Sequence, residues 1–466
     1  MQFFNRSDEI KLLSARMDSD SADLLVVYGR RRIGKTELLT HLADKKRAFY
    51  FEATDSVATD QLRDFTAELA LVSDSQLLTV QQLTHWDAAL TAIADFVGTK
   101  RTVVILDEFQ LLARQAPELE SVLSRWWRTT GRFLPITLVL AGSEISFFED
   151  EILAGRLYGR RTGQLKLEPF LAKESALFHP EYSEEDRVRV YSVCGGIPYY
   201  LERFSGKHSL RTALLNEVFE RTGLLHDEAE LMLRQSVKNP TNHIAVIRAI
   251  AHGYNRNNDI VQRTELSSPH ITKILGTLER LGLIEQLRPI TASPRSKKTA
   301  YALKDHFLRF NYRFVEPAKS QLRTRALAAN YVDSLVMPQL DHYVSLGWEE
   351  ICRQYVHRAH AEVSAVGRWW GPVPVPQSRR TEEREVDVAG IDATGKLVAV
   401  GMCKWTGTQV DFDELNLLDR LREHIPGNSP ETYRYLFSCS GFTARVSDYA
   451  KLNSSLKLVT PKDIYR

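Results

Sequence analysis

"VVYGRRRIGKTELL", residues 26–39, decides how this chain is read. Its centre, Gly29-Arg30-Arg31-Arg32-Ile33-Gly34-Lys35-Thr36, fits G-x-x-x-x-G-K-[ST]. The run leading into it, "DLLVVYG", is apolar and rich in Leu and Val, as suits a strand buried on both faces. The run leading out, "KTELLTHLA", sets Leu38, Leu39 and Leu42 at helical spacing. The glycines therefore fall on a strand-to-helix turn. There, backbone N–H groups can curl around an anion, and the start of the helix adds partial positive charge. The expected nucleotide-contacting stretch is Gly29, Arg30, Arg31, Arg32, Ile33, Gly34, Lys35, Thr36 and Glu37. Lys35 would reach the β- and γ-phosphates, and Thr36 would ligate Mg²⁺.

A second signal lies downstream in "RTVVILDEFQLL" (101–112), where Val103 to Leu106 precede Asp107 and Glu108. An acid ending a buried strand can hold Mg²⁺ directly or through water, which is the role expected of Asp107. Glu108 is placed to polarise a water for attack on the γ-phosphate. "RAFYFEA" (47–53) and "ITLVLAGSE" (136–144) read as two further strands. The second ends in Ser143, a polar group at a strand tip where it could sense the γ-phosphate. Helical pattern separates each strand from the next, so the sheet should be parallel and doubly wound.

Composition sets wider bounds. A chain of 466 residues implies two to four domains, and 43% apolar residues is ordinary for a globular protein. No apolar run reaches membrane-spanning length, and the first residues lack a signal-peptide pattern. Cys194, Cys352, Cys403 and Cys439 are widely spaced without a C-x-x-C. Neither a zinc site nor a disulfide framework is indicated, and a reducing cytoplasm fits. A net charge of +2 is too small to argue for nucleic acid by itself, so any basic patch must be local.

"GRLYGRRTGQLKLEPF" (155–170) carries Arg156, Arg160 and Arg161. Arg160 or Arg161 could neutralise charge beside the γ-phosphate, or the loop could pair with surface acids. "CGGIPYYL" (194–201) breaks a helical region at Gly195, Gly196 and Pro198. It could bring a backbone edge and an aromatic against a base, or simply turn one helix into the next.

Taken in order, "FFNRSDEIKLL", "GRRRIGKT", "LDEF", "AGS" and "GGIPYYL" resemble the archaeal-type P-loop ATPases. That family is similar to the signal-transduction ATPases with numerous domains, within the AAA superfamily. The resemblance implies ATP and Mg²⁺ as cofactors and a P-loop sheet of the extra-strand type. It also implies a small helical lid after residue 170. Asn5 and Arg6 would lie near the base, and Pro198 would contact the base from the lid.

From Asn242 to Leu303 the pattern changes. "HIAVIRAIAHG" and "NDIVQRTEL" read as helices, and "SSPHITKILGTLERLGLIEQL" opens a third with Ser268 before Pro269. Ile271, Leu275 and Leu278 form its buried stripe, while His270, Lys273, Thr277 and Arg280 should face out. "GLIEQLRPITASPRSKKTAYAL" reads as a hairpin wing with Arg288, Arg295, Lys297 and Lys298 near the tip. This is the sequence form of a winged helix. It could serve double-stranded DNA, or dock on the ATPase or a protein partner; the outward face has few basic groups.

After a polar helical linker, "LGWEEICRQYVHRAH" reads as a helix with Trp348, Ile351, Cys352, Tyr355 and Val356 on its apolar face. Glu349 borders the inward side and Glu350 the outer. "REVDVAGID" alternates, putting Glu385 and Asp387 on one face. In "KLVAVGMCKWT", Met402 and Lys404 share a face. An acid on a helix, an acid on one strand and a lysine on the next is the layout of metal-dependent phosphodiesterases. The stretch resembles the PD-(D/E)XK nuclease-like module usual in this family, with Glu349, Asp387 and Lys404 matching its motif. Met402 stands where that pattern has Glu, and a thioether cannot replace a carboxylate on Mg²⁺. The module is then either inactive or completed by Asp411, Asp413 or Glu414.

The expected organisation is a P-loop ATPase domain (1–170), a helical lid (171–235), a winged helix (236–316), a linker (317–335) and an α/β restriction-nuclease-like domain (336–466). The expected function is an ATP-binding and ATP-hydrolysing switch without membrane association, in which a homo-oligomer could complete the site. The alternatives are an ATP-regulated DNA endonuclease and an ATP-responsive DNA-binding regulator.

Overall fold

The computed structural model describes residues 5–73, 75–237, 239–293, 300–375 and 380–466. The expected basic residues Arg295, Lys297 and Lys298 lie outside the described residues, as do Phe3 and Phe4. The chain divides into two compact units, Met1–Pro169 and Phe170–Arg466.

The first unit is built on a five-stranded parallel sheet: β1 (Asp23–Gly29), β2 (Ala48–Glu52), β3 (Thr102–Asp107), β4 (Ile136–Gly142) and β5 (Gly163–Leu167), in the order β2-β3-β4-β1-β5. Every residue of β1, β3 and β4 is buried, as continuous apolar runs require when both faces of a sheet are covered. β4 lies between β1 and β3, so the loop after β1 and the acids ending β3 flank one strand. This is the extra-strand arrangement that the resemblance implies.

β5 was not expected. It occupies part of the arginine-rich stretch and pairs with β1 as an edge strand, with Leu25 opposite Gly163 and Gly29 opposite Leu167. Gly29 is a packing requirement there, since a Cβ would lie 2.6 Å from the Leu167 carbonyl oxygen.

The second unit begins with short helices, among them Glu184–Cys194 and Pro198–Leu201. The helices Pro240–Ala251, Asn257–Thr264 and Ser268–Arg280 follow, and then an antiparallel hairpin of β6 (Ile284–Leu287) and β7 (Ala300–Leu303). Ile271, Ile274, Leu275 and Leu278 are buried, and His270, Lys273 and Arg280 are exposed. The helix cap is Ser267 rather than Ser268.

The helix Met337–Ala359 then packs on a second five-stranded sheet: β8 (Ala365–Pro374), β9 (Thr381–Ile391), β10 (Leu397–Lys404), β11 (Tyr433–Ser438) and β12 (Leu456–Val459). β8, β9 and β10 are antiparallel, and β10, β11 and β12 parallel. This helix also packs on Glu184–Cys194. A Cβ on Gly347 would sit 2.0 Å from Ser192 Oγ, Arg189 pairs with Asp341 at 2.8 Å, and Gln354 donates to the Tyr191 hydroxyl at 2.8 Å. The carboxy-terminal sheet and the earlier helices thus share one unit.

Candidate nucleotide site

The loop after β1 carries two residues in left-handed backbone, Arg32 (φ 67°) and Gly34 (φ 85°). These reversals let the chain curl back and start the helix Lys35–Ala43. Lys35 is only 5% exposed, and its Nζ donates to the carbonyls of Gly29 (3.2 Å) and Arg30 (3.1 Å). Its ammonium therefore lies inside the loop. Burial pulls its pKa down, against the opposing influence of Glu108 and Asp107. Glu37 is exposed.

Asp107 ends β3 fully buried and collects three donors. Thr36 Oγ1 reaches Oδ2 at 2.9 Å, the Tyr50 hydroxyl reaches Oδ2 at 2.6 Å, and the Glu108 amide reaches Oδ1 at 2.8 Å. The two expected Mg²⁺ ligands, Thr36 and Asp107, thus touch each other. Burial and the adjacent carboxylate push the Tyr50 hydroxyl far above its ordinary pKa. Glu52 pairs in register with Asp107, and its pKa is raised by burial, then by Asp107 and Glu108. Sequence reasoning missed Tyr50 and Glu52; the signal available was their place at the end of the strand "AFYFE".

Glu108 follows in left-handed backbone (φ 49°) and caps the helix Phe109–Gln115. Its Oε2 accepts from Ser143 Oγ at 2.8 Å and from Gln110 Nε2. Loop, Mg²⁺ candidates, candidate base and strand-tip serine are therefore gathered at one end of the sheet.

Three further groups of expected site residues are placed as follows. Arg6, with Asn5 beside it in left-handed backbone, is buried and donates to the carbonyls of Ile33 (3.0 Å) and Glu168 (2.8 Å), and pairs with Glu9. It holds the loop's own backbone. Arg160 and Arg161 precede β5 and are level with the amino-terminal end of β1. The loop begins at the other end of β1, roughly 20 Å away at about 3.3 Å per residue. Arg161 donates to Leu153 O (3.1 Å) and Gln164 Oε1 (3.0 Å). The expectation that these arginines reach the γ-phosphate of their own site is corrected by the parallel register of β5. Pro198 belongs to the second unit, where it opens a helix; Gly196 packs on the Phe170 backbone.

On the helix Met337–Ala359, Glu349 pairs with Arg368 of β8 at 2.7 Å and with Arg353 at 3.5 Å. Asp387 Oδ2 accepts from the Cys403 amide at 2.7 Å, and its pKa is raised to about 7 by burial and then by Glu349. Lys404 pairs with Glu414 at 2.9 Å. Met402 is 8% exposed and packs in an apolar cluster with Val400, Val410, Leu415 and Leu418. No group of three or more His, Cys, Asp or Glu among the described residues is arranged to hold a metal ion. Arginines stand beside Glu349 instead, and Glu414 answers the lysine.

Residues 3–204 match a family model described as an ATPase domain predominantly from Archaea. An uncharacterized ATP-binding protein of Methanocaldococcus jannaschii is 36% identical over 47 residues, covering 10% of this chain and 80% of that protein. The chain belongs to this ATPase family. A second uncharacterized protein of the same organism is 26% identical over 411 residues, 86% of this chain and 87% of its own. The Walker-type ATPase of Pyrococcus abyssi superposes with a TM-score of 0.53 at 19% identity, covering 67% of this chain and 96% of that one, which shows a shared fold. Residues 311–415 match a model described as "Archaea bacterial proteins of unknown function". No helix among the described residues is long and apolar enough to cross a membrane.

Proposed function

We propose that this member of the ATPase family binds ATP with Mg²⁺ in the Gly29–Thr36 loop, hydrolyses it, and uses the nucleotide state to control its second unit. The observation that carries the reading is the contact of Thr36 Oγ1 with Asp107 Oδ2 beside the buried Lys35. A hydroxyl and a carboxylate are hard oxygen donors, which suit Mg²⁺, and the ammonium lies where phosphate oxygens would need it. ATP would supply the phosphoanhydride, and Mg²⁺, when bound, would neutralise charge developing on the phosphate oxygens. The protein's part is positional: loop amides would face the phosphates, Thr36 and Asp107 would hold the metal, and Glu108 would accept a proton from an attacking water. Ser143 orients Glu108. An arginine, if one completes the site, comes from outside this chain's own Arg160 and Arg161, as a second copy would provide.

The helices Pro240–Arg280 and the hairpin β6–β7 are read as a winged helix, and residues 336–466 as a nuclease-like module. The expected domain bounds at 235, 316 and 335 stand as part of this proposal. Because those parts share one unit, they would respond together. The module is proposed to be inactive: Met402 is packed among apolar side chains, and Glu349 is neutralised by Arg368. A cytoplasmic setting, and double-stranded DNA or a protein as partner of the winged helix, complete the reading.

The test is Mg²⁺-dependent ATP hydrolysis by wild type and Glu108→Gln. The variant should bind ATP and lose on the order of 100-fold in kcat. Wild type without turnover, or a variant with undiminished turnover, would refute the assignment. Plasmid nicking by wild type that disappears in Asp387→Ala would establish the endonuclease alternative. ATP-dependent retention of a DNA duplex, falling steeply with salt, would establish the regulator.

A further inference from the structure

The carboxylate assigned above as base is held by a residue that neither motif spacing nor family membership assigns. Gln110 lies two residues beyond Glu108 on the helix Phe109–Gln115 and is 2% exposed. Its Nε2 donates to Glu108 Oε2, the same oxygen that accepts from Ser143 Oγ. Glu108 Oε1 carries no hydrogen bond from the described residues. One oxygen is thus pinned by two donors, while the other stays available to a water.

The amide is held there at a cost. Its Oε1 is buried without a hydrogen-bond partner. The oxygen fills the space left by a missing side chain, since a Cβ on Gly142 would lie 2.0 Å from it. Turning the amide over would set its oxygen against the carboxylate oxygen, so Glu108 itself fixes the orientation. A buried oxygen without a partner costs free energy, so an apolar side chain of the same volume need not destabilise the fold. Glu108 is also held in left-handed backbone, and Asp107 Oδ1 accepts its amide. Such strain persists where surrounding groups over-determine it, as at functional sites.

From this geometry we infer that Gln110 is a positioning residue for ATP hydrolysis: with Ser143 it clamps one oxygen of Glu108 and aims the other at the attacking water. The inference rests on the proposal that Glu108 is the base. The contact assigned to Gln110 is with Glu108, so its removal should slow turnover without weakening nucleotide binding.

The experiment compares kcat, KM, ATP binding and thermal midpoint for the full chain as wild type, Gln110→Met, Gln110→Glu and Glu108→Gln. Met keeps the volume of Gln and removes both the donor and the orphaned oxygen. Gln110→Met should lower kcat roughly ten-fold at unchanged KM and unfold no earlier than wild type. Gln110→Glu, which removes the donor and sets a second carboxylate beside Glu108, should lower kcat at least as far at unchanged KM. An inert Glu108→Gln beside a normal Gln110→Met sinks the clamp alone. A kcat loss in Gln110→Met that comes with an earlier midpoint makes the residue structural and also sinks it. Normal turnover by Glu108→Gln would overturn the assignment of the base on which the clamp rests.

Discussion

Met402→Glu restores the carboxylate that the nuclease-like pattern has at this position, and it is predicted to damage the protein. Met402 is 8% exposed among Val400, Val410, Leu415 and Leu418. Burying a Met side chain is worth about 1.5–3 kcal/mol. The substitution loses that, and an ionised carboxylate there costs several kcal/mol more in desolvation. Lys404 cannot answer it freely, because its ammonium is paired with Glu414 at 2.9 Å. At neutral pH the variant should be destabilised by upwards of about 3 kcal/mol, against under about 1.5 for Met402→Leu. The sign of the pH dependence follows. The introduced carboxyl would have a folded pKa above its unfolded value of about 4.3. The gap from wild type should therefore be smallest below that value and widen as pH rises through the folded pKa. The assay is thermal unfolding of wild type and both variants across pH, in chelator and again with Mg²⁺. Met402→Glu as stable as Met402→Leu in chelator at neutral pH would refute the packing argument. A Mg²⁺-dependent rise in its midpoint would show that Glu349 and Asp387 are open to metal despite Arg368.

Other groups give independent tests. Tyr50→Phe removes one of three donors on buried Asp107 and should cost about 1.5–3 kcal/mol of stability without nucleotide, read by denaturant unfolding and faster exchange of the Glu108 amide; unchanged exchange would contradict it. His179 is fully buried, neither ring nitrogen has a hydrogen-bond partner among the described residues, and burial, then Arg187, pull its pKa down to about 4. Its contribution is fully present above the unfolded value near 6.5 and is lost as pH falls towards 4, by up to about 3 kcal/mol. His179→Leu should flatten that acid loss in a pH series of unfolding midpoints, and an unchanged slope would contradict the assignment.

What could be read from residues alone follows from which contacts are local. β1, β3 and β4 announce themselves because strands covered on both faces are continuous apolar runs. The loop glycines and the acids at 107 and 108 sit at the ends of those runs, so their shared location follows from a parallel sheet. β5 was hidden because an edge strand of mixed burial, "GQLKL", carries no such run. Its register decides where Arg160 and Arg161 lie, and spacing holds no information on that. Tyr50 and Gln110 were missed for different reasons. Tyr50 is 57 positions from Asp107 and meets it through strand pairing. Gln110 is close in sequence, but its proposed role depends on a slot at Gly142, at the end of β4. At the nuclease-like motif, the departure at Met402 was legible, because a thioether in a carboxylate position changes the chemistry whatever the fold. The pairing of Glu349 with Arg368 was not, since it needs β8 beside the helix Met337–Ala359.

The most direct test of the central claim is equilibrium binding of ATP, with Mg²⁺, to wild type and Lys35→Ala. The wild type should bind, and loss of the one ammonium seated within the loop should abolish measurable affinity while leaving the apo fold intact. Retention of ATP by Lys35→Ala with wild-type strength would mean that the turn after β1 is not where the nucleotide sits.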